Sequence, residues 1–265
     1  MIYTNLKGGL GNMMFQIAAT LSMAIDKGVD ASFPNLMSQL ININNDSFHN
    51  SKLKHSIEYL SLFDKLLTEQ PPQGLKTYRY PLHYDSTIPE GNKFIIDGFF
   101  QSEKYFKKNE KKIKEILTVP KNVLDVINIK YKLLLELKTT AIHVRRGDYL
   151  KFPKHHPTQS VEYYKKSIEL LNNTEKFIIF SDDIEWCKSN FIGDEYYFIE
   201  NEKDYVELYL MSMCNNVITS NSSFSWWGAW LNNNNDKIII GPNIWFGTNV
   251  NDTSKDILPK EWIKL

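Results

Sequence analysis

Short runs of β-branched and aromatic residues alternate with longer amphipathic stretches along the second half of the chain. The runs predict strands at residues 139–144, 177–180, 196–199, 216–219 and 237–240. The amphipathic stretches predict helices at residues 161–171, 184–191, 203–213 and 223–231. Such alternation is typical of a doubly wound parallel sheet covered by helices, so the second half predicts an α/β domain.

The first half begins in the same way and then becomes less regular. Its start predicts a strand, a glycine turn and a helix, at residues 2–6, 7–12 and 13–27. Residues 35–73, rich in Asn, Ser and Lys, predict no definite element. A strand is predicted at 94–100, followed by a helix that runs from an N-cap at Ser102 towards Leu117.

The change in regularity indicates two domains. We place the boundary in the helical stretch of about 121–138, with an N-terminal α/β domain at 1–130 and a C-terminal Rossmann-like domain at 131–265. Ligands of open parallel sheets bind beyond the carboxyl ends of the strands. The turns that follow the predicted strands are therefore the places to look for chemistry.

Composition excludes several classes of protein. Thirty-one basic residues balance thirty-one acidic ones, which argues against a nucleic-acid-binding protein and against broad attachment to anionic lipid. We see no secretion signal and no apolar run of the roughly 18 residues that a transmembrane helix needs. We expect a cytoplasmic protein with at most peripheral membrane contact. Cys187 and Cys214 predict buried core residues rather than a disulfide or a zinc site.

The segment HVRRGDY, at 143–149, places charged side chains at the end of a predicted strand. Guanidinium groups are costly to bury without a partner, and their forked donors match phosphate oxygens. We favour Arg145 as the direct phosphate contact, with Arg146 in support. The alternative is a surface ion pair with Asp148 or a bridge between domains. His143 is either a satisfied core residue or part of the same cleft, and Asp148 is either a turn residue or a base.

Two further polar segments follow predicted strands. Asp182 and Asp183 could hold ribose hydroxyls or a purine edge, or could cap the next helix. Ser222, Ser223 and Phe224 offer hydroxyls and N–H groups at a helix start, which suits an anion or, again, a simple cap. The tryptophans that follow predict a tightly packed helix.

Other nucleotide and metal motifs are missing. The loop at 8–12 resembles a dinucleotide loop only superficially, because Met14 stands where GxGxxG requires glycine. The sequence also lacks a P-loop and a metal-ligand constellation, which argues against a P-loop NTPase and a zinc hydrolase, and we expect no cofactor. A Rossmann oxidoreductase is disfavoured.

Five segments in order resemble the α-1,2-fucosyltransferases of glycosyltransferase family 11. They are GGLGNMMFQIA, GFFQSEKYF, HVRRGDY, FSDD and TSNSSFSWWGAWL. Two positions depart from the family pattern: Met13 replaces a usual glutamine, and Asp97 precedes Gly98-Phe99 where Gly-Tyr is common. Both departures fall where acceptor contacts are expected.

The resemblance implies a GT-B architecture, in which two Rossmann-like domains face each other across a cleft, and inverting transfer without an obligatory metal. GDP-L-fucose would bind the C-terminal domain, with Asp182 on the guanine edge. The residues implied in donor binding are Arg145, Asp182, Ser222, Ser223 and Phe224. Those implied in catalysis are Arg145, Arg146, His143 and Asp148. Those implied on the acceptor side are Gly9, Gly11, Asn12, Gln101 and Glu103.

The implied activity is transfer of L-fucose to the 2-hydroxyl of a terminal galactose. The acceptor would be an oligosaccharide or a lipid-linked glycan of a bacterial surface polysaccharide. Asp148, His143 and Glu103 all stay open as the general base. A non-catalytic module that binds a nucleotide sugar or a glycan is the alternative.

Overall fold

A computed structural model describes residues 1–42, 60–248 and 254–265, which form two compact units. The first unit contains residues 1–42, 60–118 and 254–259. The second contains residues 119–248 and 260–265. None of the described helices is long and apolar enough to cross a bilayer.

A parallel sheet with the strand order β2-β1-β4-β3 forms the centre of the first unit. The strands are β1 (Ile2–Tyr3), β2 (Ala31–Ser32), β3 (Thr77–Arg79) and β4 (Phe94–Asp97). The helices are α1 (Leu10–Lys27), α2 (Leu36–Asn42), α3 (Leu60–Phe63) and α4 (Glu110–Ile116). Short 3₁₀ turns lie at Glu103–Tyr105 and Lys107–Asn109.

The first unit differs from the prediction at four places, the first of which is strand β1, which ends at Tyr3 rather than at residue 6. Helix α1 begins three residues earlier, at Leu10, because Gly9 already takes the extended N-cap conformation. Strand β4 stops at Asp97 rather than at residue 100, and Phe100 has a left-handed φ of 53° that no strand accommodates. The predicted helix from Ser102 begins with 3₁₀ turns, although the Ser102 hydroxyl accepts the predicted cap hydrogen bond from the Lys104 N–H.

A six-stranded parallel sheet with the order β10-β9-β8-β5-β6-β7 forms the centre of the second unit. The strands are β5 (Thr139–Val144), β6 (Lys176–Ser181), β7 (Tyr196–Phe198), β8 (Asn216–Ile218), β9 (Ile239–Gly241) and β10 (Ile263–Lys264). The helices are α5 (Lys121–Leu135), α6 (Val161–Glu169), α7 (Ile184–Asn190), α8 (Asp204–Met213) and α9 (Ser223–Trp230). The predicted alternation of strands and helices is confirmed here, with bounds that shift by one or two residues.

Helix α5 lies wholly in the second unit, so the units change at residue 118/119 rather than at the predicted 130/131. The physical reason is that α5 packs against α8. Tyr131 donates a hydrogen bond to Glu202, at 2.8 Å, and Lys130 forms an ion pair with the same carboxylate at 2.7 Å. Both contacts tie α5 to the loop before α8.

The second unit is built around β5, in which all six side chains are buried. Because both faces of β5 are buried, its sequence does not alternate between apolar and charged residues as a half-exposed strand does. The tryptophans of α9 pack on one another, and Trp226 lies 6.0 Å from Trp230 and 5.6 Å from Trp262, between ring centroids. Cys187 and Cys214 are buried free thiols, as predicted.

Strand order reverses beside the first strand of each sheet. In the second unit β6 and β8 flank β5, and in the first unit β2 and β4 flank β1. At such a switch point, the connections that follow the two adjacent strands run in opposite directions. A crevice therefore opens beyond the carboxyl ends of these strands. The polar segments that follow β5, β6 and β8 therefore meet at one edge of the second unit.

Candidate active site

Arg145 lies just beyond the end of β5 and is held by two carboxylates. Its Nη2 donates to Oδ1 of Asp148 at 2.6 Å, and its Nη1 lies 3.0 Å from Oδ2 of Asp182. Burial works against the guanidinium charge, but Asp182 and Asp148 outweigh it and raise the pKa of Arg145. These contacts use two of the five guanidinium N–H donors and leave three that neither aspartate binds. The ion pair with Asp148, which was the alternative to phosphate binding, is thus present. It occupies only one of the N–H donors of Arg145.

Arg146 is held by side chains of the segment that follows β6. Its Nε donates to Oδ2 of Asp183 at 3.0 Å, and its guanidinium lies 4.1 Å above the Trp186 ring. Its backbone N–H donates to Oδ1 of Asp182 at 2.8 Å. Because the strand has already ended, the two arginines do not diverge to opposite faces of the sheet. Asp183 also caps α7 by accepting from the Trp186 N–H, as one of our two interpretations predicted.

The arginine pair is not a cationic patch. Two arginines and their three partner aspartates sum to a formal charge of −1. An anion at this place would be bound by directed N–H donors rather than by excess positive charge.

Gly147 permits the close approach of Asp182 to the arginines, since a Cβ atom at position 147 would come 2.7 Å from Oδ2 of Asp182.

His143 is buried at the end of β5, with 5% of its surface exposed. Its Nδ1 lies 2.8 Å from the Ser220 hydroxyl, and its ring centroid lies 5.4 Å from that of Phe224. Burial, and then the charge of Arg145, lowers the pKa of His143 to about 3. These are the contacts of a neutral structural histidine, and such a group is a weak base.

The start of α9 faces the same edge of the sheet. The Ser222 hydroxyl accepts a hydrogen bond from the Phe224 N–H at 3.3 Å, so the predicted cap is confirmed. Ser223 and Phe224 are partly exposed, while the rest of α9 is largely buried. The first N–H groups of a helix have no partner within the helix, and here a rigid tryptophan-rich segment holds them in place.

Asn221 joins three loops of the site, which the sequence did not reveal. Its Nδ2 donates to the carbonyls of Pro157 and Trp245, both at 2.9 Å. Its Oδ1 accepts from Gln159 at 3.0 Å, and its backbone carbonyl accepts from the Tyr149 hydroxyl at 3.0 Å. The loops after β5, β8 and β9 are therefore braced by one buried amide. Its partners lie far away along the chain, so no local pattern could identify it.

The predicted acceptor-side residues lie at the switch point of the first unit. Gln101 donates to Oδ1 of Asn12 at 2.7 Å, which links the segment after β4 to the start of α1. Gly9 is the N-cap of α1 and Gly11 is buried in its first turn, so the glycine turn predicted at 7–12 ends at Gly9. Glu103 has a side chain only 12% exposed that pairs with Lys107 at 3.2 Å.

Two other contacts fix this edge of the first unit. Lys7 forms an ion pair with Asp97 at 2.6 Å and lies 4.9 Å above the Phe99 ring. Gln16, which is buried, donates to the carbonyls of Lys7 and Asn12, both at 2.8 Å. The glycine-containing segment before α1 is thus held by a glutamine inside the helix. Among the described residues, no group of three or more His, Cys, Asp or Glu side chains could hold a metal ion.

Comparison with known proteins decides the family. The profile of glycosyl transferase family 11 matches residues 1–265. The chain belongs to glycosyl transferase family 11. Two Escherichia coli proteins resemble this member of family 11 over its whole length: the O-antigen biosynthesis glycosyltransferase WbnK and an alpha-1,2-colitosyltransferase. The first is 30% identical and covers 100% of both chains, and the second is 32% identical and covers 100% of this chain and 98% of its own.

Solved structures show the fold of this family 11 chain. The fucosyltransferase NodZ from Bradyrhizobium matches with a TM-score of 0.55 and 12% identity, over 86% of this chain and 92% of its own. POFUT1 without ligand matches with a TM-score of 0.51 and 13% identity, over 92% and 97% respectively. Both are GT-B fucosyltransferases. The two parallel α/β units are therefore of the GT-B type that we predicted.

The sequence did not indicate that the carboxyl group of Glu207, near the candidate site of this family 11 chain, would be unusual. Glu207 lies in α8 between the buried residues Val206 and Leu208, and only part of its side chain reaches solvent. Burial, and then the charges of Asp204, Glu202 and Asp182, raises the pKa of Glu207 well above its usual value. The ionised form of Glu207 is thus disfavoured in the folded protein.

Replacing Glu207 with Gln should stabilise the protein at neutral pH. Because the folded-state pKa is raised, the stabilising effect of protonated Glu207 is complete only below the unfolded pKa of about 4.3 and is lost as pH rises through the folded pKa. Glu207→Gln should therefore raise the melting temperature at pH 7–8 and change it little near pH 4. Each kcal/mol gained is roughly 2–4 °C in a protein of this size.

Thermal unfolding of Glu207→Gln across this pH range measures the effect. Glu169→Gln is the matched control, since Glu169 is exposed in α6 of the same unit. It should leave the melting temperature nearly unchanged. A lower melting temperature of Glu207→Gln at pH 7–8 would contradict the electrostatic interpretation.

Proposed function

We propose that the protein transfers L-fucose from GDP-L-fucose to the 2-hydroxyl of a terminal galactose on a glycan, with inversion and without an obligatory metal. One observation carries the proposal. In a family 11 chain, Arg145 is held by Asp148 and Asp182 at the switch point of the sheet, with N–H donors left for a diphosphate. NodZ, which shares the fold, has been soaked with GDP-fucose, and this supports the donor.

The reaction places negative charge on the leaving diphosphate. As the bond between the anomeric carbon and the phosphate oxygen breaks, hydrogen-bond donors that are already in place stabilise the developing charge. We assign this work to Arg145 and Arg146, together with the N–H group of Ser223 at the start of α9. The two arginines and their three aspartates carry a net charge of −1. The leaving diphosphate is therefore stabilised by N–H donors that point at it, and not by an excess of positive charge.

The aspartates beside Arg145 are proposed as positioning residues. Asp148 holds Nη2 and Asp182 faces Nη1, so the guanidinium cannot rotate away before the donor arrives. Each oxygen of Asp182 has one partner, Arg145 or the Arg146 N–H, and keeps a second lone pair. The contact of Asp182 with the guanine edge that the family resemblance implies is therefore compatible with its positioning role.

The base that accepts the 2-hydroxyl proton is not assigned to His143, because the lowered pKa of that imidazole makes it a weak acceptor. Glu103 and Asp148 are each engaged by a cation, Lys107 and Arg145 respectively. An oxocarbenium-like transition state with a well-stabilised leaving group requires little help from a base.

The acceptor is proposed to be a galactose-terminated oligosaccharide or a lipid-linked glycan of a surface polysaccharide. The O-antigen biosynthesis enzyme among the relatives supports this class of acceptor. The amide pair of Asn12 and Gln101, at the switch point of the first unit, is suited to sugar hydroxyls. Assembly of such glycans fits a cytoplasmic protein with at most peripheral membrane contact.

The donor sugar has one competing candidate. One relative is named for transfer of colitose rather than fucose, and it is 32% identical to this chain. The donor screen must therefore include both sugars. A module that binds a nucleotide sugar without turnover is the second alternative.

A screen of donors and acceptors tests the proposal. Purified protein is incubated with GDP-L-fucose or GDP-colitose and a panel of galactosides, with EDTA present in a parallel series. We expect GDP release that depends on a terminal galactose, persists in EDTA, and gives a product whose linkage by NMR is to the 2-hydroxyl. Binding of GDP-fucose without GDP release on any acceptor would support the non-catalytic module, and turnover of GDP-colitose alone would refute the assigned donor.

Arg145→Lys should lower kcat/KM by a factor of roughly 10² to 10³, the effect typical of losing one oriented donor to a developing oxyanion. Lysine keeps the charge but cannot contact Asp148, Asp182 and a phosphate in one plane. The control is Arg79→Lys, because the Arg79 side chain is 85% exposed. Steady-state kinetics and melting temperature are measured for both.

The outcome separates catalysis from stability. We expect Arg145→Lys to melt within a few degrees of the unmodified protein while it loses activity, and Arg79→Lys to keep both. Full activity of Arg145→Lys would refute the assigned contact. A large fall in its melting temperature would instead favour a purely structural ion pair.

A further inference from the structure

Two loops of the second unit expose apolar and cationic side chains together. Leu150, Phe152 and Ile244 are 52%, 38% and 62% exposed. Lys151 and Lys154 lie between and beside them and are exposed as well. We name this area, residues 150–155 and 243–247, the loop surface.

The two loops of the loop surface are joined. The Gly247 N–H donates to the His155 carbonyl at 2.9 Å, and Gln159 donates to the Ile244 carbonyl at 3.3 Å. A side chain at position 247 would collide with the backbone of Lys154, so the close approach of the loops requires glycine there. The exposed side chains are thus presented by a braced scaffold.

Charge is distributed unevenly around the loop surface. The protein as a whole is neutral, with 31 acidic residues, yet residues 149–160 and 242–248 contain no Asp or Glu. The same segments contain two lysines, Lys151 and Lys154, and two histidines, His155 and His156. Lysines beside exposed aliphatic and aromatic side chains suit the boundary of an anionic bilayer, where the ammonium groups meet headgroups and the apolar side chains enter the acyl region.

A second exposed apolar area lacks this complementarity. Ile129 and Leu133, one helical turn apart on α5, are 84% and 79% exposed. Asp125 precedes Ile129 by four residues and Glu136 follows Leu133 by three, while Lys130 and Lys132 lie three residues from Leu133 and Ile129, so two carboxylates and two lysines balance on this face. An anionic surface would gain no net electrostatic attraction there, unlike at the loop surface, which has lysines and no carboxylates. Helix α5 therefore serves as the natural control.

We propose that the loop surface binds an anionic phospholipid bilayer and brings the carboxyl edge of β5 to that bilayer. This goes beyond the proposed sugar transfer and does not require it. If the proposed function also holds, the surface brings the donor-binding edge next to glycans that are attached to lipid.

Sedimentation with sucrose-loaded vesicles tests the proposal on the full chain. We expect partitioning onto vesicles of phosphatidylglycerol and phosphatidylcholine, and little onto phosphatidylcholine alone. Each lysine at an anionic surface adds about a factor of five, so Lys151→Gln with Lys154→Gln should lower the partition coefficient at least tenfold. Leu150→Ser with Ile244→Ser should lower it too, because the apolar contribution is lost.

The control is Ile129→Ser with Leu133→Ser on α5, which removes more exposed apolar surface and should leave partitioning unchanged. Melting temperatures show that each variant is folded. Equal binding to both kinds of vesicle, a loss in the α5 variant equal to that in the lysine variant, or binding to heparin but not to vesicles would overturn the proposal. Turnover of a soluble acceptor is measured separately, so its failure would count against the sugar transfer and not against the loop surface.

Discussion

The contact of Arg145 with Asp148 and Asp182 is the constraint on which the candidate site depends. It links the turn after β5 to the turn after β6, and it requires Gly147 so that Asp182 can approach. Charge neutralisation makes the burial of Arg145 tolerable, since an unpaired guanidinium would be strongly destabilising there. The same contact orients the remaining donors before any ligand arrives. Structure and proposed chemistry therefore rest on one set of ion pairs.

Much of the second unit could be predicted because its strands are short, fully buried and separated by regular helices. The run at residues 139–144 and the helices that follow it leave a strong periodic signal. The parallel order then follows from the alternation, and the strand ends identify the segments with Arg145, Asp182 and Ser222. Family membership, expected from five ordered segments, is confirmed over residues 1–265.

The rest depends on contacts between residues that are far apart in sequence. Strands β2, β3 and β10 have only two or three residues each, too few for any alternation to be seen. The role of Asn221 and the raised pKa of Glu207 both come from neighbours contributed by other elements. The sequence suggested a cationic arginine pair, whereas the folded chain surrounds it with three aspartates.

A crystal structure of the protein with GDP bound tests the central claim most directly. The account predicts β-phosphate oxygens about 3 Å from the Arg145 guanidinium, with the ion pair between Arg145 and Asp182 kept. It also predicts that the diphosphate lies beside the first N–H groups of α9. A diphosphate bound away from the carboxyl end of β5, or Arg145 contacting only its aspartates in the complex, would contradict the account.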